Sequence, residues 1–264
     1  MIGVIHVLAK RELVRFFRQP HRVVGSLAQP LIFWVLLGSG FGASFRAPTM
    51  TDVSYMEYFY PGILMMLMLF SSIFSTITLI EDRNQGLLQE VLVAPVPRIA
   101  IVLGKVSGAM SVAMLQCLVL LAAAPFLGFQ PGFLGGLLLL LGLILSSLGF
   151  TALGFLIAWR MESTAGYHAV MSIFLMPMWL LSGAIFPLEN LPTWLWSVMI
   201  INPATHALKL VRMPLYEEPM TLLSDSTFLV SLGVALFWAI ACLWLAMKRV
   251  ERADCGAPLT QGVE

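Results

Sequence analysis

Apolar positions in this 264-residue chain gather into six long runs, at residues 23–45, 59–80, 99–127, 133–159, 167–186 and 228–247, whose middles hold no Lys, Arg, Asp or Glu. An α-helix rises 1.5 Å per residue, so about 20 such residues cross the ~30 Å of bilayer hydrocarbon. Water is absent there to satisfy backbone N–H and C=O groups, which makes helices the expected structure rather than open strands. The pattern therefore predicts an all-α integral membrane protein, one transmembrane domain over residues 1–264 with six spans.

The stretches between the runs carry patterns of their own. In residues 1–22 the cations Arg11, Arg15, Arg18 and Arg22 recur at helical spacing as one narrow stripe, with Ile2, Ile5, Ala9, Leu13, Phe16 and Phe17 opposite. Such a helix lies in the membrane interface with its basic side toward anionic headgroups, either as a topogenic basic flank or as an elbow that braces the bundle. Pro20 permits a sharp turn into the first span. In the loop 81–98, Leu87, Leu88, Val91 and Leu92 form an apolar ridge on a short helix that Pro95 and Pro97 terminate. The loop 187–227 is too apolar around residues 191–215 to float free. Asn202-Pro203 divides that stretch into two short helices, 192–201 and 204–213, with Trp194 and Trp196 as interface residues. This pair either re-enters the outer leaflet as a gate or rests on it, with Glu189, His206, Lys209 and Arg212 at headgroup level.

Charge fixes the expected orientation. Placing both termini in the cytoplasm puts Lys10, Arg11, Arg15, Arg18, Arg22, Arg83, Arg98, Lys105, Arg160, Lys248, Arg249 and Arg252 inside, and only Arg46, Lys209 and Arg212 outside. This positive-inside bias predicts a multi-pass protein of the cell (inner) membrane with a cytoplasmic tail at 248–264. With 59% hydrophobic and 11% charged residues, the chain is far from the roughly 25% charge of a soluble domain. No cleaved signal peptide is expected, because the first apolar run follows the basic segment and leads at once to more spans. Cys117, Cys242 and Cys255 imply no disulfide framework.

The segment from Glu81 to Lys105, with Glu81-Asp82-Arg83, Gly86, Glu90-Val91-Leu92-Val93-Ala94-Pro95-Val96-Pro97-Arg98 and Gly104-Lys105, resembles the coupling segment of type-2 ATP-binding-cassette (ABC) exporter permeases, the drug and lipo-oligosaccharide exporter type. The likeness extends over nearly the whole chain. It implies a permease that forms a homodimer and binds two copies of a cytoplasmic ABC ATPase. It also implies that Arg83, Gly86, Leu87, Glu90 and Leu92 face that ATPase, that Pro95 and Arg98 shape the return to the membrane, and that the external pair at Trp194, Trp196, Asn202 and Pro203 forms a gate. The expected substrate is an amphiphile such as a drug, a lipid or a lipid-linked saccharide.

A phosphate-binding loop needs Gly-x-x-x-x-Gly-Lys-Ser/Thr, whereas Gly104-Lys105 has Ile99 at the first glycine position and Val106 in place of the hydroxyl. ATP and magnesium are therefore expected on the partner chain, with no cofactor or metal in this one and no nucleic acid among its partners. His6, His21, His168 and His206 are scattered without metal-ligand spacing, so no catalytic residues are assigned and no enzyme activity is expected. A secondary transporter or channel remains the rival. The absence of ionisable residues deep in the spans and the patterned 81–98 loop count against it. Serines and threonines in the spans, Gln116, the Gly104–Gly108 and Gly132–Gly136 pairs and the methionines are all compatible with plain helix packing.

Overall fold

The protein is described by a computed structural model over residues 1–41, 54–186 and 191–252. Within these residues the chain forms α1 (Ile2–Phe17), α2 (Pro20–Phe41), α3 (Tyr55–Phe74), α4 (Thr78–Asn84), α5 (Leu87–Val93), α6 (Arg98–Leu121), α7 (Gly132–Ala158), α8 (Thr164–Leu180), α9 (Thr193–Ile201), α10 (Pro203–Tyr216), α11 (Pro219–Leu222) and α12 (Ser226–Arg252). The all-α membrane fold expected from the apolar runs is what forms. The end of the first run at 42–45, Arg46, Glu189 and the tail from 253 with Cys255 lie outside the described residues.

Among the described residues five helical stretches are long and apolar enough to cross a membrane: Pro20–Phe41, Tyr55–Asn84, Arg98–Leu121, Gly132–Ala158 and Ser226–Arg252. The run at 167–186 yields the 17-residue α8. At 1.5 Å per residue that is about 26 Å, short of the hydrocarbon thickness. Its last carbonyls are met by the junction of α9 and α10, where Asn202 Nδ2 donates to Met178 O at 2.7 Å and Thr205 Oγ1 to Leu181 O at 3.3 Å. The helix ends where neighbouring side chains take over its orphan acceptors.

Helix α3 is the hub, apolar on every side and buried along nearly its whole length between α2, α6, α7 and α8. A capping box starts it, with Ser54 Oγ accepting from Glu57 N–H and Glu57 Oε2 accepting from Ser54 N–H. At its other end a 3-10 turn, Ser75–Ile77, joins α3 to α4. Thr76 Oγ1 turns back to Ile73 O at 2.7 Å, and the buried Tyr167 hydroxyl reaches Thr76 Oγ1, Ile73 O and Gly154 O at 2.8, 3.0 and 3.3 Å. A side chain at position 154 would meet Thr76 Oγ1 at 2.9 Å, so glycine is what lets α7 approach this joint. Local 3-10 geometry inside a long helix is a frequent mark of a hinge.

Candidate functional site

At the end of the bundle that holds α1, α4 and α5, charge and shape converge. Gly86, at φ +78°, sits in the left-handed region that glycine adopts without penalty, and it turns the chain between α4 and α5. The two turns of α5 then stop at Val93, ahead of Pro95 and Pro97 as the sequence predicts. Leu88 is buried and Leu92 packs on the main apolar cluster, whereas Gln89, Glu90 and Val93 are exposed, Val93 at 87%. Leu87 and Arg98 are half-buried and Pro95 is exposed. The ridge thus splits: Leu88 and Leu92 anchor the helix, and Leu87 lies beside the outward Glu90.

Arg83, expected on the partner face, is committed inside the chain. Its guanidinium donates to Trp159 O at 2.6 Å and Met161 O at 3.0 Å and stacks over the Trp159 ring. The carbonyls just past the end of α7 lack helical N–H donors, which explains their attraction for this fork of donors.

The basic stripe of α1 also turns inward. Arg11 grips Asp82 through both oxygens at 2.7 and 3.1 Å, and Arg15 bridges Asp82 at 2.9 Å and Glu81 at 2.7 Å. Lys105, 6% exposed, reaches the same Asp82 and Glu12 Oε1 at 2.6 Å. Arg11, Arg15 and Lys105 therefore face Glu12, Glu81 and Asp82, three charges of each sign joining α1, α4 and α6. Burial by itself would lower the Arg11 pKa, but its bond to Asp82 and that carboxylate's charge outweigh burial and hold it above the usual value. Of the expected stripe, Arg18 alone is exposed, and Arg22 lines a cavity between helices. The sequence signal that could have found the network is Asp82, an acid beside a basic span end.

Helix α1 reaches α6 through Gly104 and Gly108. A side chain at 104 would strike Leu8 Cβ at 2.8 Å, and one at 108 would strike Glu12 at 2.8 Å and the Ala9 Cα at 3.0 Å. Beyond this contact, Gly3, Val4, Val7 and Leu8 of α1 and Glu90, Val91, Ala94 and Val96 of the α5 segment line an open, mainly apolar groove of about 360 Å³. At the opposite end, Trp194 and Trp196 are exposed on α9, while Asn202 caps α10 by accepting from Ala204 N–H. Two of the presumed headgroup-level residues turn inward there: His206 is buried between Ser231 and Ile200 O, and Arg212 lies over the Tyr58 ring.

A family model described as ABC-2 type transporter matches residues 4–216. The chain is 30% identical to a transport permease, ycf38, of Cyanophora paradoxa over 87% of this chain and 80% of that protein. It is 29% identical to a protein named as a multidrug ABC transporter permease, YbhR, of Escherichia coli strain K12, over 59% of this chain and 42% of that protein. Nodulation protein J of Rhizobium leguminosarum bv. viciae is 26% identical over 85% of this chain and 82% of its own length.

Proposed function

Because the chain belongs to the ABC-2 type transporter family, and so is a membrane permease of an ABC transporter, we propose that it forms the transmembrane half of an ATP-driven exporter. In this reading the permease pairs with a second copy of itself and binds two copies of a separate ATPase. It moves an amphiphile out of the cytoplasm. The chain crosses the inner membrane six times with both termini cytoplasmic, α8 and the re-entrant α9–α10 pair together making one crossing.

The observation that carries the proposal is the mounting of α5. This two-turn helix presents Leu87, Glu90 and Val93 beside the groove it shares with α1, while Leu88, Leu92, the Arg83 clamp and the Asp82 network tie its base to α1, α6 and the chain that leaves α7. A push on such a rod is delivered to spans rather than absorbed by a loop. The α3–α4 hinge at Ser75–Ile77 is where that push changes the bundle's shape. Pro95 and the half-buried Arg98 direct the chain from α5 back into α6.

The test is co-purification of the ATPase with Leu87→Asp and Glu90→Arg variants. Both substitutions fall on the outer side of α5, so the permease remains folded while recovery of the ATPase falls by at least about tenfold, as loss of a well-packed interface anchor produces. Full recovery of the ATPase with both variants removes α5 from the coupling role. Vesicle transport that proceeds on an ion gradient without ATP overturns the exporter assignment itself.

A further inference from the structure

A cavity of about 620 Å³ opens between α2 and α8 with α3 as its floor. That volume suits a small amphiphile. Its lining changes character along the helices. Toward the α1 end stand Arg22 and His168; further in come Ser26 of α2 and Gln116 of α6, with Met66 and Phe70 forming an apolar wall. Two of the Arg22 donors engage Gln19 Oε1 at 3.3 Å and Phe74 O at 3.1 Å, which leaves the rest of its five free for a guest. Among the described residues no carboxylate forms an ion pair with it. Glu81 shares this end of the cavity but is paired with Arg15 at 2.7 Å. The His168 ring rests on Phe74, 4.7 Å between centroids, as a further polar group at the same level.

Gln116 supplies an independent sign of a ligand. It is 2% exposed, its Nε2 donates to Ser26 Oγ at 2.9 Å, and its Oε1 is buried with no hydrogen-bond partner. Turning the amide over would only exchange which of its two atoms lacks a partner. A buried polar atom left unmatched costs roughly 1–3 kcal/mol, and because Gln116 belongs to the cavity lining, a rotation that brings its amide to an entering polar group is favourable.

We propose that this cavity binds an anionic amphiphile, its phosphate- or carboxylate-type headgroup on Arg22 and His168, a hydroxyl or amide just beyond the headgroup on Gln116, and its tail along Met66 and Phe70. The proposal deepens the exporter reading above and rests on it for the sense of transport, but binding itself requires no ATPase. A guanidinium at the polar end of an apolar cavity discriminates headgroups by charge and by paired N–H···O bonds. A tail of saturated carbon discriminates little.

The experiment measures binding of three single-chain probes with the same dodecyl tail, dodecyl phosphate, dodecyl maltoside and dodecyltrimethylammonium, to the purified permease in phosphatidylcholine nanodiscs. Dodecyl phosphate binds at least about tenfold more tightly than the cation, the ratio expected of a charge-assisted contact. Arg22→Ala removes that preference, Arg22→Lys keeps most of it, and Ser26→Phe, which fills the cavity from α2, abolishes binding of all three. Equal binding of the phosphate and the cation overturns the proposal with no variant needed. So does phosphate binding that survives Ser26→Phe, which would locate it on the outer surface of the protein. ATP-independent transport combined with selective phosphate binding would instead strike the exporter assignment and leave this site standing.

Discussion

Asp82 receives Arg11, Arg15 and Lys105 at once, and it is almost wholly buried, with its side chain 1% exposed. A carboxylate removed from water this far is tolerable only because three donors surround it, and the converse also holds for the 6% exposed Lys105. Asp82→Asn keeps the shape and deletes the charge, which leaves Lys105 with Glu12 alone and Arg11 without its bidentate partner. Breaking a buried pair on one side costs about 3–5 kcal/mol. The expected outcome is a clear drop in the thermal unfolding midpoint of the detergent-solubilised permease, with no drop for Glu90→Arg, whose position is exposed. An unchanged midpoint for Asp82→Asn would show that the network contributes nothing net.

The elements divide into those whose pattern is complete in one segment and those that depend on distant partners. The five long spans were legible because solvation by lipid is a local property of 20 or so residues, and α5 because Gly86, the apolar ridge and Pro95 lie within ten positions of one another. The 3-10 hinge was not legible, since Tyr167 makes it from 91 residues away. Nor was the inward turn of Arg11 and Arg15: periodicity shows that they share a face, and says nothing of the acid 67 to 71 positions distant that this face meets. The two glycine pairs make the same point. Gly104–Gly108 admits α1 against α6, whereas Gly132 opens α7 at φ +60° and Gly136 has nothing near enough to need the space. In lipid, close backbone approach replaces the hydrophobic drive, so the first pair is energetically decisive. Gly108→Leu is therefore expected to dislodge α1 and open its side of the groove, raising protease cleavage within residues 1–17. It also lowers ATPase recovery, although position 108 is covered by α1. Gly136→Leu changes neither measurement, and equal effects from the two would refute the distinction. At the hinge, Tyr167→Phe leaves the ATPase bound and slows ATP-dependent transport in vesicles, because the hydroxyl that reaches three oxygens of the joint is lost.

For the whole molecule, the direction of the last helix supports the six crossings proposed above. Near the start of α7, Gly135 lies against Pro214 and Pro219, and fourteen residues further along Gly149 lies against Trp238 and Ala239 of α12. Helices α7 and α12 therefore run the same way, and both finish at the end of the bundle that carries α1 and α5. Two parallel neighbours require the chain to return between them. That return consists of α8 and the chain up to Ser226, with Asn202 and Thr205 closing the gap left by a helix of 17 residues. In that arrangement Lys248, Arg249 and Arg252 join the α1 arginines on one side of the membrane, which agrees with the cytoplasmic placement proposed for both ends. Single cysteines at Val93, Met220 and Glu251, introduced with Cys255→Ser to remove background from the tail, test this arrangement in intact cells. A membrane-impermeant maleimide added outside labels Met220→Cys and spares Val93→Cys and Glu251→Cys until the membrane is opened. Labelling of Glu251→Cys from outside would mean that α8 and the α9–α10 pair do not cross, leaving five spans and termini on opposite faces. The parallel packing of α7 and α12 would then have no topology to support it.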